Sequence, residues 1–88
     1  MTAVIARFSG VVQGVNFRRN FSSAAISLGL NGWVKNLPDG DVEAFIQGDR
    51  EKIQKLLDES RGLPNAVVTG IVLKEADEQD INVFEIRP

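Results

Sequence analysis

The stretch from Val11 to Arg18 contains the residues best suited to chemistry, because a glycine and an arginine stand there between a strand pattern and a helix pattern. Gly14 has no Cβ, so the backbone can turn there with its amides facing inward. The first amides of the following helix have no partner within the helix, and they carry the positive end of its dipole. A phosphate or a sulfate suits such a turn, and the planar donors of Arg18 suit a phosphoryl group. The same pattern also occurs in connections that bind nothing, so the stretch alone leaves both interpretations open.

Asn36 is the second candidate, since it stands near the end of an otherwise apolar strand pattern. Its amide can both donate and accept hydrogen bonds, so it can hold a water molecule in one orientation. An asparagine before a turn is also commonly a local hydrogen-bonding residue. The nearby acids Asp39, Asp41 and Glu43 are interpreted as turn and hairpin surface rather than as a general base.

The elements that must position these residues are short and alternate between the two periodicities. Strands are predicted over residues 4–9, 30–37, 41–47, 67–74 and 81–86, with a hairpin turn at Pro38–Gly40. One helix is predicted from Asn16, as a possible N-cap, to Gly29, and a second opens at residues 48–51 and closes at Gly62 and Pro64. The charged segment 75–80 is interpreted as a solvated turn.

This element order predicts an α+β fold, the ferredoxin-like β-α-β-β-α-β sandwich, with an antiparallel sheet and both helices on one face. Trp33 is expected to be a packing residue rather than a substrate platform. The other apolar residues expected in the core are Phe8, Phe21, Val42, Ile46, Ile53, Leu56, Leu57 and Phe84.

The amino-acid composition of the chain excludes several classes of function. The chain has 88 residues, 43% hydrophobic and 25% charged, which predicts one globular domain over residues 1–88. Cysteine and histidine are absent, so a thiolate nucleophile, a histidine base and the commonest metal ligands are excluded. A net charge of −2 disfavours broad binding to nucleic acid. No apolar run is long enough to cross a membrane, and residues 1–7 lack a basic flank followed by an apolar block, so we expect no signal peptide and a cytoplasmic location.

Two motifs then give a specific resemblance. Residues 10–18 resemble the first signature of the acylphosphatase family, G-x-V-Q-G-V-x-F-R. Residues 32–42, with Gly48 beyond, resemble the second, G-W-V-K-N-x-x-x-G-x-V. Both occur at the family's separation, the intervening residues 28–30 also resemble family members, and the likeness covers nearly the whole chain.

The resemblance implies a small hydrolase of acyl phosphates that yields a carboxylate and inorganic phosphate by direct attack of water. In the family, loop amides and the arginine hold the phosphoryl group, and the asparagine orients water. Carried onto this sequence, the catalytic residues are Arg18 and Asn36. No metal or cofactor is implied, phosphate is expected as product and inhibitor, and we expect a monomer with no nucleic-acid or membrane partner. The implied phosphate-binding loop consists of Gln13, Gly14, Val15, Asn16, Phe17 and Arg18.

Two positions depart from the family pattern. Arg19 adds a second positive charge beside Arg18, where it is interpreted as solvated surface. Some members place an aromatic C-terminal residue near the catalytic arginine, and Pro88 does not supply one, so the orientation of Arg18 is left open.

Three alternatives to a free-standing hydrolase fit parts of the sequence. The acidic balance and the single aromatic residue of the third predicted strand argue against an RNA-binding module. A catalytically silent acylphosphatase-like domain, which binds a ligand or another protein, is the alternative, although intact Arg18 and Asn36 argue against it. The third alternative is a piece of a larger protein, since hydrogenase-maturation carbamoyltransferases carry an acylphosphatase-like domain at their N-terminus; we expect a free-standing enzyme of 88 residues instead.

Overall fold

A computed structural model describes all residues from Met1 to Pro88 and contains five strands and two helices. The sheet has the strand order β4-β1-β3-β2-β5. The elements are β1 Thr2–Val11, α1 Phe17–Ser27, β2 Asn31–Asn36, β3 Val42–Gly48, α2 Arg50–Ser60, β4 Val67–Glu75 and β5 Phe84–Arg87.

The predicted ferredoxin-like fold is confirmed, with one correction to the sheet. Strand β1 pairs antiparallel with β3 and β4, and β2 pairs antiparallel with β3. The pair of β2 and β5, however, is parallel, so the sheet is mixed rather than wholly antiparallel. The chain reaches β5 through the loop after β4 at the opposite edge, and this crossing lets β5 run in the direction of β2.

The main core lies between the sheet and the two helices. Alternate residues of β3, namely Val42, Ala44 and Ile46, share one cluster with Phe21 of α1 and Leu56 of α2, so both helices cover the same face. All eight residues predicted for this core are buried. Neither helix is long and apolar enough to span a bilayer.

The opposite face of the sheet carries a smaller cluster around Trp33. Its ring stacks on Phe45, and the charged ends of Lys35 and Arg87 lie 5.2 and 4.9 Å from its centre. Trp33 is therefore a packing residue, as predicted, and it does not line the candidate site described below.

The segment between β4 and β5 is held by one side chain. The amide nitrogen of Gln47 donates to the carbonyl oxygens of Gln79 and Ile81, at 2.9 and 3.0 Å, and its oxygen accepts from the Gln79 N–H. The last strand was predicted from residue 81, but it begins only at Phe84. Residues 81–83 alternate between apolar and polar side chains, which is the pattern of a strand. Ile81 instead packs against the smaller cluster around Trp33.

Candidate active site

The loop between β1 and α1 presents free backbone donors at the start of a helix. Gly14 and Asn16 both have left-handed backbones, with φ of 75° and 60°. Asn16 is the N-cap, as predicted, but its side chain makes no capping hydrogen bond. None of the N–H groups of residues 13–19 donates to an acceptor within the protein. These donors lie at the positive end of the helix dipole, where an anion is stabilised.

Aromatic packing fixes the start of this helix. Phe17 and Phe21 lie one turn apart on the buried face of α1, and their ring centres are 5.4 and 5.2 Å from that of Phe8 on β1. Because Phe17 is buried by these contacts, the side chain of the next residue, Arg18, leaves the helix on a different face. Strand β1 and helix α1 thus set where Arg18 lies.

Arg18 is half-buried, and its orientation comes from the last strand. The Nη1 atom of Arg18 donates to the backbone carbonyl oxygen of Arg87 at 2.5 Å. The orientation that the sequence left open is thus set by a main-chain acceptor next to Pro88. Neither Arg18 nor Arg19 forms a salt bridge, and the first turn of α1 contains no acidic residue. The positive charge at this helix terminus is therefore not neutralised within the protein.

Asn36, the last residue of β2, stands opposite this loop. Its Oδ1 atom is buried and accepts no hydrogen bond, and it is the only buried side-chain polar atom in the chain without a partner. Buried acceptors are nearly always paired, because leaving one unsatisfied costs roughly 1–3 kcal/mol. The terminal torsion that carries the amide is broad in asparagine, so a rotation can turn the buried oxygen toward the adjoining pocket, whereas exchanging the oxygen and the nitrogen takes about half a turn.

One pocket of about 280 Å³ brings the predicted residues together. Five of the six predicted loop residues line it, and so does Asn36. The exception is Val15, whose side chain packs against the main core, so only its backbone can serve the site. The full lining is Val12, Gln13, Gly14, Asn16, Phe17, Arg18, Arg19, Asn36 and Ile86.

Sequence patterns missed part of this lining. Ile86 comes from β5, far from the motifs in sequence, and no local signal marks it as part of the pocket. Arg19 was interpreted as solvated surface. Arg19 is exposed, but it also lines the pocket. Its position directly after Arg18 is the one feature of the sequence that could have indicated a place in the pocket.

The acidic residues near Asn36 are engaged elsewhere. Arg7 donates to Asp41 at 2.8 Å and also pairs with Asp39, while Lys35 lies 3.6 Å from Glu43. The hydrogen bond that Arg7 donates to the Asp41 carboxylate raises the pKa of Arg7 above its ordinary value. No aspartate or glutamate lines the pocket, so these acids are hairpin surface, as the sequence indicated.

The chain is similar to known proteins over nearly its whole length. The model of the acylphosphatase family matches residues 4–86. The acylphosphatase of Thermococcus kodakarensis is 43% identical over 91% of this chain and 89% of its own length. That of Nitrosococcus oceani is 40% identical over 99% of both chains.

A solved structure shares the backbone fold of this chain. The crystal structure of acylphosphatase from Bacillus subtilis superposes with a TM-score of 0.94 at 31% identity, covering 100% of each chain. The family match and these relatives show that the chain is an enzyme of the acylphosphatase family.

Proposed function

We propose that this chain cleaves the carboxyl–phosphate bond of acyl phosphates by direct attack of water at phosphorus. The observation that carries the proposal is the pocket itself, where unpaired loop amides and Arg18 face Asn36 and no carboxylate is present. The water oxygen forms a new bond to phosphorus, the bond from phosphorus to the acyl oxygen breaks, and the products are a carboxylate and inorganic phosphate.

The loop and Arg18 are the groups proposed to hold the phosphoryl oxygens. Transfer of a phosphoryl group spreads negative charge over three oxygens, so catalysis depends mainly on positioning and on charge stabilisation. Free N–H donors over residues 13–19 and the guanidinium of Arg18 supply both. Because Arg18 already donates to the backbone carbonyl of Arg87, the arginine needs little reorganisation when substrate binds.

Asn36 is proposed to position the attacking water. Its unpaired Oδ1 supports this role, because a water held by that atom would satisfy an acceptor that the protein leaves without a partner. An asparagine amide does not titrate, so it cannot serve as a general base. The phosphoryl oxygens of the substrate are then the acceptor for the proton of the water.

The reaction is proposed to need neither a metal ion nor a second copy of the chain. The leaving group is a carboxylate, which departs without a general acid. The two arginines in the pocket supply fixed positive charge where a metal would otherwise neutralise the phosphate. The proposed catalytic groups, namely the loop donors, Arg18 and Asn36, form a complete set within one copy, so the proposed mechanism needs no residue of a second copy.

The test is hydrolysis of benzoyl phosphate followed by ultraviolet absorbance, with EDTA present, for wild type beside Arg18→Ala. We expect turnover that survives EDTA and falls by roughly 10³-fold or more in the variant, as for other arginines on a transferring phosphoryl group. Arg61→Ala is the matched control, because Arg61 is exposed and does not line the pocket.

Each other outcome of this test has a definite meaning. A folded wild type with no turnover would contradict the proposal and favour the alternative, a silent binding or interaction domain. Turnover that EDTA abolishes would exclude the metal-free mechanism. Equal losses in Arg18→Ala and Arg61→Ala would mean that Arg18 acts through general charge rather than through the pocket.

A further inference from the structure

One side chain ties the two halves of the pocket together. The Nε2 atom of Gln13 donates to the carbonyl oxygens of Leu37 and Asp41, each at 2.8 Å. Gln13 belongs to the loop before α1, whereas Leu37 directly follows Asn36 at the end of β2. Both amide hydrogens of Gln13 are therefore used in docking the loop onto the hairpin turn that carries Asn36.

This contact is separate from the bonds that close the turn. Within the turn, the Leu37 N–H donates to the Asp41 carbonyl at 2.8 Å, and the Gly40 N–H donates to that of Leu37 at 3.2 Å. These bonds fix the shape of the turn but not its distance from the loop. Each of the two carbonyls accepts a second hydrogen bond, from Gln13, and these two are the only hydrogen bonds that link the turn to the loop.

The turn is also held on the side of β1. The carboxylate of Asp41 accepts from Arg7 at 2.8 Å and from Ser9 at 3.2 Å. Arg7 and Ser9 precede the loop on a strand that pairs with β3, so they fix the turn to the sheet. Gln13 supplies the remaining constraint, which is the separation between the loop and Asn36.

We propose that Gln13 is a positioning residue, whose side-chain amide fixes Asn36 relative to the phosphate-binding loop. This inference rests on the proposed function, because it assigns Gln13 a role in placing the water that Asn36 holds. It separates two functions of one residue: the backbone N–H of Gln13 belongs to the loop donors, and its side chain acts on the opposite wall of the pocket.

Gln13→Met tests this role, since methionine keeps the length of the side chain and removes both donors. A misplacement of about 1 Å at a reacting group can cost about 100-fold in rate, so we expect kcat to fall by about 10- to 100-fold. The KM for benzoyl phosphate and the inhibition constant of inorganic phosphate should change by less than about threefold, since the loop donors remain. Gln54→Met, on the exposed face of α2, is the matched control and should leave both constants unchanged.

A double-mutant cycle distinguishes positioning from a general structural effect. If Gln13 acts through Asn36, adding Gln13→Met to Asn36→Ala should lower kcat by less than about twofold further, because the group being positioned is already absent. Multiplicative losses in the double variant would overturn the proposal. A Gln13→Met variant with normal kcat, or with phosphate binding lost as fully as kcat, would also overturn it.

Nuclear magnetic resonance of the wild type gives a readout that needs neither activity nor a variant that folds. Because both hydrogens of the Gln13 side-chain amide are engaged, they should exchange with water more slowly than those of Gln54, whose exposed amide donates a single hydrogen bond, to Asp58 at 3.1 Å. If the side-chain amide hydrogens of Gln13 exchange as fast as those of Gln54, the proposed hydrogen-bonded link between loop and turn is refuted. If the wild type fails to hydrolyse benzoyl phosphate while the Gln13 amide is protected from exchange, the proposed function is wrong, but the link between loop and turn is confirmed.

Discussion

Replacing Asn36 should lower activity without lowering stability. Asn36→Leu keeps the approximate size of the side chain but removes the amide that we propose to orient water. The buried Oδ1 has no partner in the folded protein, so its removal relieves a cost instead of breaking a bond. Most active-site substitutions that abolish a structural hydrogen bond would lower both quantities, and this contrast makes the variant informative.

The magnitudes follow from these two effects. A positioned hydrogen-bonding group in a catalytic site is typically worth 10²- to 10³-fold in kcat, which is about 2.7–4 kcal/mol. An unsatisfied buried acceptor costs roughly 1–3 kcal/mol, and a water that reaches Oδ1 in solution would reduce that cost. We therefore expect kcat to fall at least 10²-fold while the free energy of unfolding stays the same or rises by about 1 kcal/mol.

The assay compares kcat and KM for benzoyl phosphate with urea unfolding in the same preparations. Asn31→Leu is the matched control, since Asn31 lies at the other end of β2 and does not line the pocket. Its kcat should equal that of wild type. A raised KM with unchanged kcat in Asn36→Leu would refute water positioning and make Asn36 a ground-state substrate contact. A large loss of stability would show that the Asn36 amide is structural.

Further predictions concern the glycines and pH. In Gly14→Ala the new Cβ has open space, but alanine must adopt the left-handed backbone of this position. The variant should therefore lose about 1–2 kcal/mol of stability in urea unfolding and bind phosphate more weakly. Unchanged phosphate affinity would contradict the role proposed for the loop. In Gly32→Ala the new Cβ would lie 1.8 Å from the carbonyl oxygen of Phe45. The loss in the free energy of unfolding should therefore approach the whole stability of such a domain, about 5–10 kcal/mol, and circular dichroism should show a largely unfolded chain. Because no group that titrates near neutrality lines the pocket, kcat for benzoyl phosphate should be flat from about pH 6 to 9, and a bell-shaped profile would indicate an acid–base pair.

Much of the fold follows from local patterns, because helix and strand periodicities are set by which side chains must be buried. The alternation of Val42, Ala44 and Ile46 indicated both β3 and its buried face. The parallel pairing of β5 could not be obtained in this way. It depends on the path of residues 76–83 across the sheet, which Gln47 holds through hydrogen bonds to Gln79 and Ile81.

The candidate site was likewise predictable from the sequence only in part. Arg18 and Asn36 stand in motifs whose spacing could be recognised, and both line the pocket. The acceptor that orients Arg18 is a backbone carbonyl, which every residue possesses, so no side-chain pattern could indicate Arg87. Gln13 was predicted as part of the phosphate-binding loop. That its side chain faces two carbonyls of the hairpin turn became visible only once loop and turn were placed in space.

The most direct test of the central claim is the fate of the oxygen of water during turnover. Benzoyl phosphate should be hydrolysed by the wild type in ¹⁸O-labelled water, and both products analysed by mass spectrometry. If water attacks a phosphoryl group held by the loop and Arg18, one labelled oxygen per turnover will appear in inorganic phosphate and none in benzoate. Label in benzoate would place the attack at the carbonyl carbon and contradict the role that we assign to the pocket.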